Sequence, residues 1–503
     1  MRLSRRQFLK LGVRAGAALA FAPIGCSWVR SKSSPATGVW VNDVHSQLNP
    51  TRVQRVVRPA SIGEIVDTVR FAAKEGGVVS VAGGRHAAGG QQFATDGVLV
   101  DMRGMNRVIA LDADAGIVEA EGGILWPELM DELARRQSGT EPAWGIVQKQ
   151  GVDRMSLGGS LGANIHGNGL TLPPFVGQVE SFKLVDAAGR VRTCSRNENA
   201  ELFSLAAGGY GLLGIVTSMR LRLMRRRKLR VTTQLLEAGD VVTTLARRKE
   251  EGCLYGDWHY SPDPSSNDFL RRGVLATYQP LREDEDVPVN EGPLPTSDDW
   301  LRLVTLAHVN RGAAFARYVE SALGQSGDVV WSDTFQLDRA YVDNYHAVVD
   351  RELKARVPAS ESLVEFFVPR TSLVVFLDEV RADFLRHEVA MLYGTVRLAE
   401  HDTESVLAWA RQPCAGVVFN FHVVHDDPGR RALADTFRRV VDIAARHDGT
   451  FYLTYHRFAT RAQTELCHPR LPEFLRAKRR YDPAEVFQSD WYRHYSRMFA
   501  NLA

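Results

Sequence analysis

A chain of 503 residues, 45% of them apolar and 24% charged, has ordinary globular composition, with room for two or three domains and a large core. Its formal net charge of +3 is too small for this length to support nucleic acid or an anionic membrane as partner, so partners have to be argued from sites. The most apolar stretch, near the start, is broken by Arg14 and Pro23 and falls short of the roughly 20 residues a spanning helix needs, so the body is expected to be soluble.

Residues 1–35 read as an address and a linker. Ser4-Arg5-Arg6-Gln7-Phe8-Leu9-Lys10 followed by a short Ala- and Gly-rich apolar run has the form of a twin-arginine export signal, which places function in the periplasm or at its membrane. Cys26, after Ile24-Gly25, is a candidate for a lipid anchor, the one membrane attachment expected. Cys194, Cys253, Cys414 and Cys467 are too far apart for a zinc or redox spacing and are expected to be buried thiols.

Ser61 with Glu64 three places on is a capping signature, and Ile65, Val66, Val69 and Ala73 follow at helical spacing until Gly76-Gly77 stops the helix. Residues 78–82 form a short apolar strand running into Gly83-Gly84-Arg85-His86-Ala87-Ala88-Gly89-Gly90. Glycines there let successive backbone amides turn toward one anion, the requirement for holding a pyrophosphate without a metal. A second small-residue segment, 151–167, embeds His166 among glycines and lets backbone approach a flat ligand. Gly209-Tyr210-Gly211-Leu212-Leu213-Gly214 has the G-x-G-x-x-G spacing, but a helical stretch precedes it and an alternating strand, 215–223, follows. That order is the reverse of a nicotinamide-type fingerprint.

Past residue 224 the basic run 225–228 reads as a strand end or joint, and residues 283–299 read as an acidic surface loop. Residues 372–385 are helical. On strand 364–370 alternation puts Glu365 and Phe367 on one face, and on strand 417–424 it puts Asn420 and His422 together. Strand and turn signals return at residues 449–454 and at Asp482-Pro483.

Taken in order, the Gly-Gly-Arg-His loop, Leu157-Gly158-Gly159 through Asn164-Ile165-His166-Gly167, Asp186-Ala187-Ala188-Gly189, the 209–214 glycines and the tail motif Arg480-Tyr481-Asp482-Pro483 resemble the vanillyl-alcohol-oxidase superfamily. The similarity is nearest to sugar and aldonolactone oxidases and the decaprenylphosphoryl-ribose oxidase group. The resemblance implies an α+β fold: a PCMH-type two-subdomain FAD-binding domain over residues 44–224, an α+β substrate domain over 225–447, and a segment 448–503 returning to the FAD domain. It implies FAD, with Gly83, Gly84, Arg85, His86 and Ala87 at the pyrophosphate, and Gly151, Ser156, Gly158, Gly159, Asn164, His166, Gly167, Ile215 and Tyr452 along the cofactor. His86 stands where many members carry a covalent histidyl flavin, while the ribose-oxidase group lacks that bond.

The expected activity is oxidation of a CH–OH group of a sugar, alditol or lactone-like substrate by hydride transfer to flavin, with oxygen as acceptor. A dehydrogenase using a quinone or protein acceptor, and an exported binding protein without catalysis, stay open. His166, Glu365, His422 and Tyr455 are the candidate bases or polarisers. Tyr455 stands where the ribose-oxidase group has a lysine, which puts a prenyl-phosphate-sugar substrate in doubt. Metal motifs are absent from the sequence.

Overall fold

The computed structural model describes residues 38–500 apart from 140–142, 283, 291–295 and 337–339, so the expected export signal and Cys26 lie outside the described residues. Local chemistry sets the first elements. β1 (Arg55–Val57) leads to α1 (Ile62–Glu75), where the Ser61 hydroxyl accepts from the Glu64 amide at 3.3 Å and Gly76 closes the helix at φ 65°. The buried face of α1, Ile65, Val69 and Ala72, packs against Val79, Val100, Val486 and Phe487. β2 (Val79–Ala82) and β3 (Val98–Asp101) complete a parallel three-stranded sheet with β3 in the middle.

The other side of β2 is taken by the C-terminal segment. Val79 donates to the Val486 carbonyl at 2.7 Å and accepts from the Gln488 amide at 3.0 Å. The tail therefore holds the strand that delivers residues 83–90. Asp482 organises the tail: its carboxylate accepts from the Val486 and Phe487 amides at 2.9 and 2.8 Å and pairs with the Lys478 ammonium at 2.7 Å, both side chains buried.

A second, antiparallel sheet has the order β7-β6-β8-β5-β4, from β4 (Val108–Asp112), β5 (Ile117–Glu121), β6 (Val179–Val185), β7 (Val191–Ser195) and β8 (Ile215–Arg222). Between β5 and β6 the chain makes the short helix α2 (Leu157–Ala163), capped by Ser156. A helix over Ala200–Ala206 precedes the 209–214 glycines and β8 follows, the helix-turn-strand order read from the sequence.

The third sheet has eight antiparallel strands in the order β12-β9-β11-β10-β14-β15-β13-β16. They are β9 (Lys228–Glu237), β10 (Tyr255–Tyr260), β11 (Arg272–Pro280), β12 (Val329–Trp331), β13 (Ala359–Pro369), β14 (Met391–Ala399), β15 (Cys414–Val424) and β16 (Thr450–Phe451). Helices α3 (Ser297–Val309) and α4 (Arg311–Gly324) connect β11 to β12, and α5 (Leu373–Arg386) and α6 (Asp427–Arg446) carry large buried faces. The basic run is a structural joint: the Arg225 guanidinium stacks 3.8 Å over Trp144, and that of Arg226 lies 4.3 Å over Trp331 and bonds Asp333 at 2.8 Å. Cys194, Cys253, Cys414 and Cys467 are buried free thiols.

Two expectations need correction. The acidic stretch does not run as loop to residue 299, because Thr296 caps α3: its hydroxyl accepts from the Asp299 amide at 3.2 Å, and the Asp299 carboxylate accepts from the Thr296 amide at 3.1 Å. Asp298 and Asp299 are first-turn residues, favoured by the positive helix end. The returning segment also starts later than residue 448, since Thr450 and Phe451 pair with β13 at the edge of the large sheet.

Asp482→Ala leaves the Lys478 charge buried without its partner and frees two tail amides. It is expected to cost about 3–5 kcal/mol of stability, read as a lower denaturation midpoint.

Candidate active site

β2 ends at Ala82, and the chain enters a loop in which four successive amides, those of residues 84–87, have no protein acceptor among the described residues. Arg85 takes φ 61°, the left-handed turn that brings successive N–H groups to one side. Its guanidinium turns away to Asp101 at 3.2 Å. Burial would raise the Asp101 carboxyl, but hydrogen bonds and charge from Arg103 and Arg85 outweigh it and hold the group below its ordinary range. The anion-holding capacity of this loop therefore lies in its backbone.

The glycines answer a packing demand as well as a ligand. A Cβ on Gly83 would collide with the Ser156 hydroxyl, and one on Gly84 would collide with the Arg154 carbonyl. The loop and the segment before α2 are pressed together, and between them runs a groove lined by both, by Gly122, by residues 210–214 and by Tyr452 and Thr454. Ser156 holds α2 by accepting from the Gly159 amide at 3.2 Å, and Gly158 donates to the Gly122 carbonyl at 2.7 Å. The Tyr452 hydroxyl donates to the Ala163 carbonyl at 2.7 Å, tying the returning segment to the end of α2. His86 stands in the wall with its Nε2 buried and unpartnered, and burial pushes its imidazole down to about 4.

A second cavity of about 410 Å³ adjoins the groove; His45, Gln150, Val152, Leu363 and Tyr455 line both. Its far walls come from the large sheet and from α3 and α4. Arg397 on β14 faces it. Asp257 lies directly across from Arg397 on β10, but its carboxylate is engaged by His259 at 3.3 Å. A Cβ on Gly151 would lie 3.2 Å from Arg397 Nη2, so the guanidinium sits against the segment that floors the groove.

Of the expected cofactor contacts, Gly83, Gly84, Arg85, His86, Ala87, Ser156, Gly158, Gly159 and Tyr452 line the groove, and Gly151 lines the neighbouring cavity. Four do not face the groove. Asn164 is spent on protein, donating to Asp402 at 2.9 Å and accepting from the Val176 amide at 2.9 Å. Gly167 packs on the Lys149 carbonyl, and Ile215 is a core residue beside Val185. His166 sits behind Tyr452, its Nδ1 3.0 Å from the Gly167 carbonyl.

The four candidate catalytic residues separate. His166 Nε2 and Glu365 Oε1 come within 2.8 Å of each other, brought together from distant segments, but both are buried among Phe367, Trp409 and Tyr452 and line neither cavity. His422 stands apart beside His308, and burial lowers it to about 4. Tyr455 lines both cavities; burial, then the charge of Glu365, raises its phenol well above the ordinary range. Sequence reasoning missed His45, Gln150, Gly162, Leu363 and Arg397. Gln150 adjoins the recognised glycine segment and Gly162 lies inside it, whereas nothing local marks the other three.

The free amides, the closely packed glycine floor and the unpartnered imidazole fit a dinucleotide with a flat ring system. Residues 53–195 match the FAD binding domain family. The L-gulono-1,4-lactone dehydrogenase of Mycobacterium tuberculosis (strain H37Rv) is 26% identical over 87% of this chain and 95% of its own length. The L-gulonolactone oxidase of Mus musculus is 29% identical over 33% of this chain and 36% of its own, and cytokinin dehydrogenase 7 of Oryza sativa subsp. japonica is 32% identical over 38% and 36%. Fold, groove and kinship define an FAD-dependent oxidoreductase. Residues 53–195 hold an FAD-binding domain of the PCMH type, and the relatives matched are flavoproteins of the vanillyl-alcohol-oxidase superfamily.

Gly84→Ala sets a methyl group against the Arg154 carbonyl. We expect the two segments to part at a cost of about 1–3 kcal/mol or more, so that the purified variant carries little or no FAD by its visible spectrum.

Proposed function

We propose that this oxidoreductase oxidises a CH–OH group of a lactone-like substrate held in the second cavity. The observation that carries the reading is the shared wall, where Tyr455, Leu363, Val152, Gln150 and His45 bound the groove on one side and the cavity on the other. Relatives named as gulonolactone dehydrogenase and oxidase support the substrate chemistry. FAD, when bound, would supply a two-electron acceptor for a hydride from a substrate C–H, and the hydroxyl proton would pass to solvent water. The terminal acceptor is oxygen or a quinone, and oxygen uptake during turnover separates the two.

The residues at the junction orient the donor. Tyr455 keeps its phenol proton, so it is a hydrogen-bond donor or acceptor for the substrate hydroxyl rather than a base. His45 is neutral, lowered to about 3 by burial first and by the neighbouring histidines His346 and His86 next, and its Nε2 accepts from the Leu363 amide at 3.2 Å. Arg397 adds positive charge on the cavity wall beside Gly151. Anaerobic mixing of the yellow holoenzyme with paired CH–OH and CH–NH₂ donors tests the reading: bleaching is expected from alcohols alone, and bleaching by amines alone overturns it. Tyr455→Phe should retain FAD while kcat/KM falls about tenfold to hundredfold, the worth of one orienting hydrogen bond.

We further propose that His86 bonds the flavin covalently. Its imidazole is lowered to about 4, so it is neutral and nucleophilic at every pH above that, and its Nε2 has no protein partner. Acid precipitation of the wild type should leave the pellet yellow, and His86→Ala should release all of its FAD to the supernatant. Complete release from the wild type would refute the link.

A further inference from the structure

A basic cleft lies apart from the groove and the second cavity and shares no lining residue with either. It consists of two adjoining hollows, of about 320 and 400 Å³, with Arg457 and His494 in the wall of both. Three parts of the chain meet there. α6 brings Arg430, the returning segment brings His456 and Arg457, and α7 (Asp490–Met498) brings Arg493, His494 and Arg497. A Cβ on Gly90 would lie 3.5 Å from Arg457 Nη2 and 3.6 Å from Asn49 Oδ1, so the cleft backs on the end of the glycine loop.

Charge in the cleft is unbalanced. Four guanidinium groups line it against a single carboxylate, that of Asp490, among the described residues. That carboxylate is already spent: it accepts from the Thr95 amide at 3.0 Å and the Thr95 hydroxyl at 2.8 Å, and it pairs with Arg493 at 3.3 Å. Arg457 meets the Asp490 carbonyl instead, at 2.6 Å, and burial lowers its guanidinium from the ordinary range against the raising charge of Asp490. Arg430 donates to the Leu48 carbonyl at 3.4 Å, and neither it nor Arg497 pairs with a carboxylate among the described residues. Cations drawn partly out of water without a counter-charge are costly, and a bound anion removes that cost. Two imidazoles add donors. The Nε2 atoms of His456 and His494 are buried and without a partner, and His456 as a whole is only 6% exposed. Phe458 stacks on the His456 ring at 5.1 Å and 21°, and Tyr495 meets the His494 ring edge-on at 4.9 Å, so both rings are held in place. A neutral imidazole carries one N–H, and with that proton on Nε2 each ring donates to an anion in the cleft.

We propose that this cleft binds a small soluble anion with two phosphate groups, one held by Arg430, His456 and Arg457 and the other by Arg457, His494 and Arg497. Guanidinium forks match the oxygens of a phosphate and shed their hydration more readily than an ammonium does, which selects the chemistry of the anion. Two hollows joined at Arg457 and His494 select its length, because each end has guanidinium groups of its own. Apart from Leu48, Leu433 and Phe458 the lining is polar, so the cleft offers little to an acyl chain and the anion is a free one rather than a lipid headgroup. The assignment is independent of the reaction proposed for the flavin.

The probe is inorganic pyrophosphate, titrated calorimetrically into the yellow holoenzyme, whose glycine loop is already taken by FAD, at about 0.05 M sodium chloride. A saturable one-to-one isotherm with Kd below about 1 mM is expected, and inorganic phosphate should bind at least about tenfold more weakly. Arg430→Gln and Arg497→Gln should each weaken pyrophosphate binding about tenfold or more, with FAD content unchanged. Arg497 is exposed, so its variant keeps the fold and the test stays decisive. Arg135→Gln, an exposed arginine outside the cleft, should leave Kd as it is. Absence of saturable binding up to about 5 mM overturns the site, as does equal affinity for phosphate and pyrophosphate. Variants at Arg430 and Arg497 that bind like the wild type overturn it as well. Release of FAD in step with pyrophosphate binding also overturns it, because that marks competition at the glycine loop. Sedimentation with phosphatidylglycerol vesicles that Arg430→Gln abolishes, without a pyrophosphate isotherm, overturns the soluble ligand in favour of a lipid headgroup.

Discussion

The groove depends on one close approach, the backbone of Gly83 and Gly84 against Ser156 and Arg154. Without Cβ atoms the loop after β2 lies directly on the segment before α2, and the amides of residues 84–87 are left without protein acceptors among the described residues. Both sides of that contact are braced from elsewhere. β2 is held by β3 on one edge and by residues 486–488 on the other, while α2 is held by the Ser156 cap and the Tyr452 hydroxyl. The glycine loop is thus a product of the tail as much as of the strand that precedes it.

The passage from Phe451 to Tyr455 joins this groove to the large sheet. Thr450 and Phe451 complete the sheet edge beside β13, Tyr452 lines the groove, and Tyr455 reaches both groove and cavity. Residues 450–455 thereby span a sheet edge, the wall of the groove and the wall of the second cavity. The His166–Glu365 pair lies behind this passage: Tyr452 donates its amide to the Glu365 carbonyl at 3.0 Å and places its ring 6.4 Å from that of His166. His166 Nε2 and Glu365 Oε1 stand 2.8 Å apart there, both side chains buried.

The large sheet carries two chemistries on its cavity side. Near the groove, Arg397 and Tyr455 are polar and set against the glycine-rich segment. Farther out the wall is aromatic and belongs to helices inserted between β11 and β12.

Local chemistry in the sequence determined the elements and the cofactor. The Ser61 cap, the Gly76 stop, the alternation in residues 364–370 and the order of the 209–214 glycines are short-range signals, and each reappears in the fold. The glycine loop was legible because free backbone amides require residues that the chain spells out one after another. Tertiary structure alone decided which side chains face the ligand. His166 and Asn164 stand in the glycine segment, yet one turns to Glu365 and the other to Asp402, because partners some 200 residues away supply the contacts that neighbours do not. The same holds for His45, Leu363 and Arg397, which meet at the cavity only when β13 and β14 enter one sheet. Periodicity reports which face a residue shares, and only packing reports what that face meets.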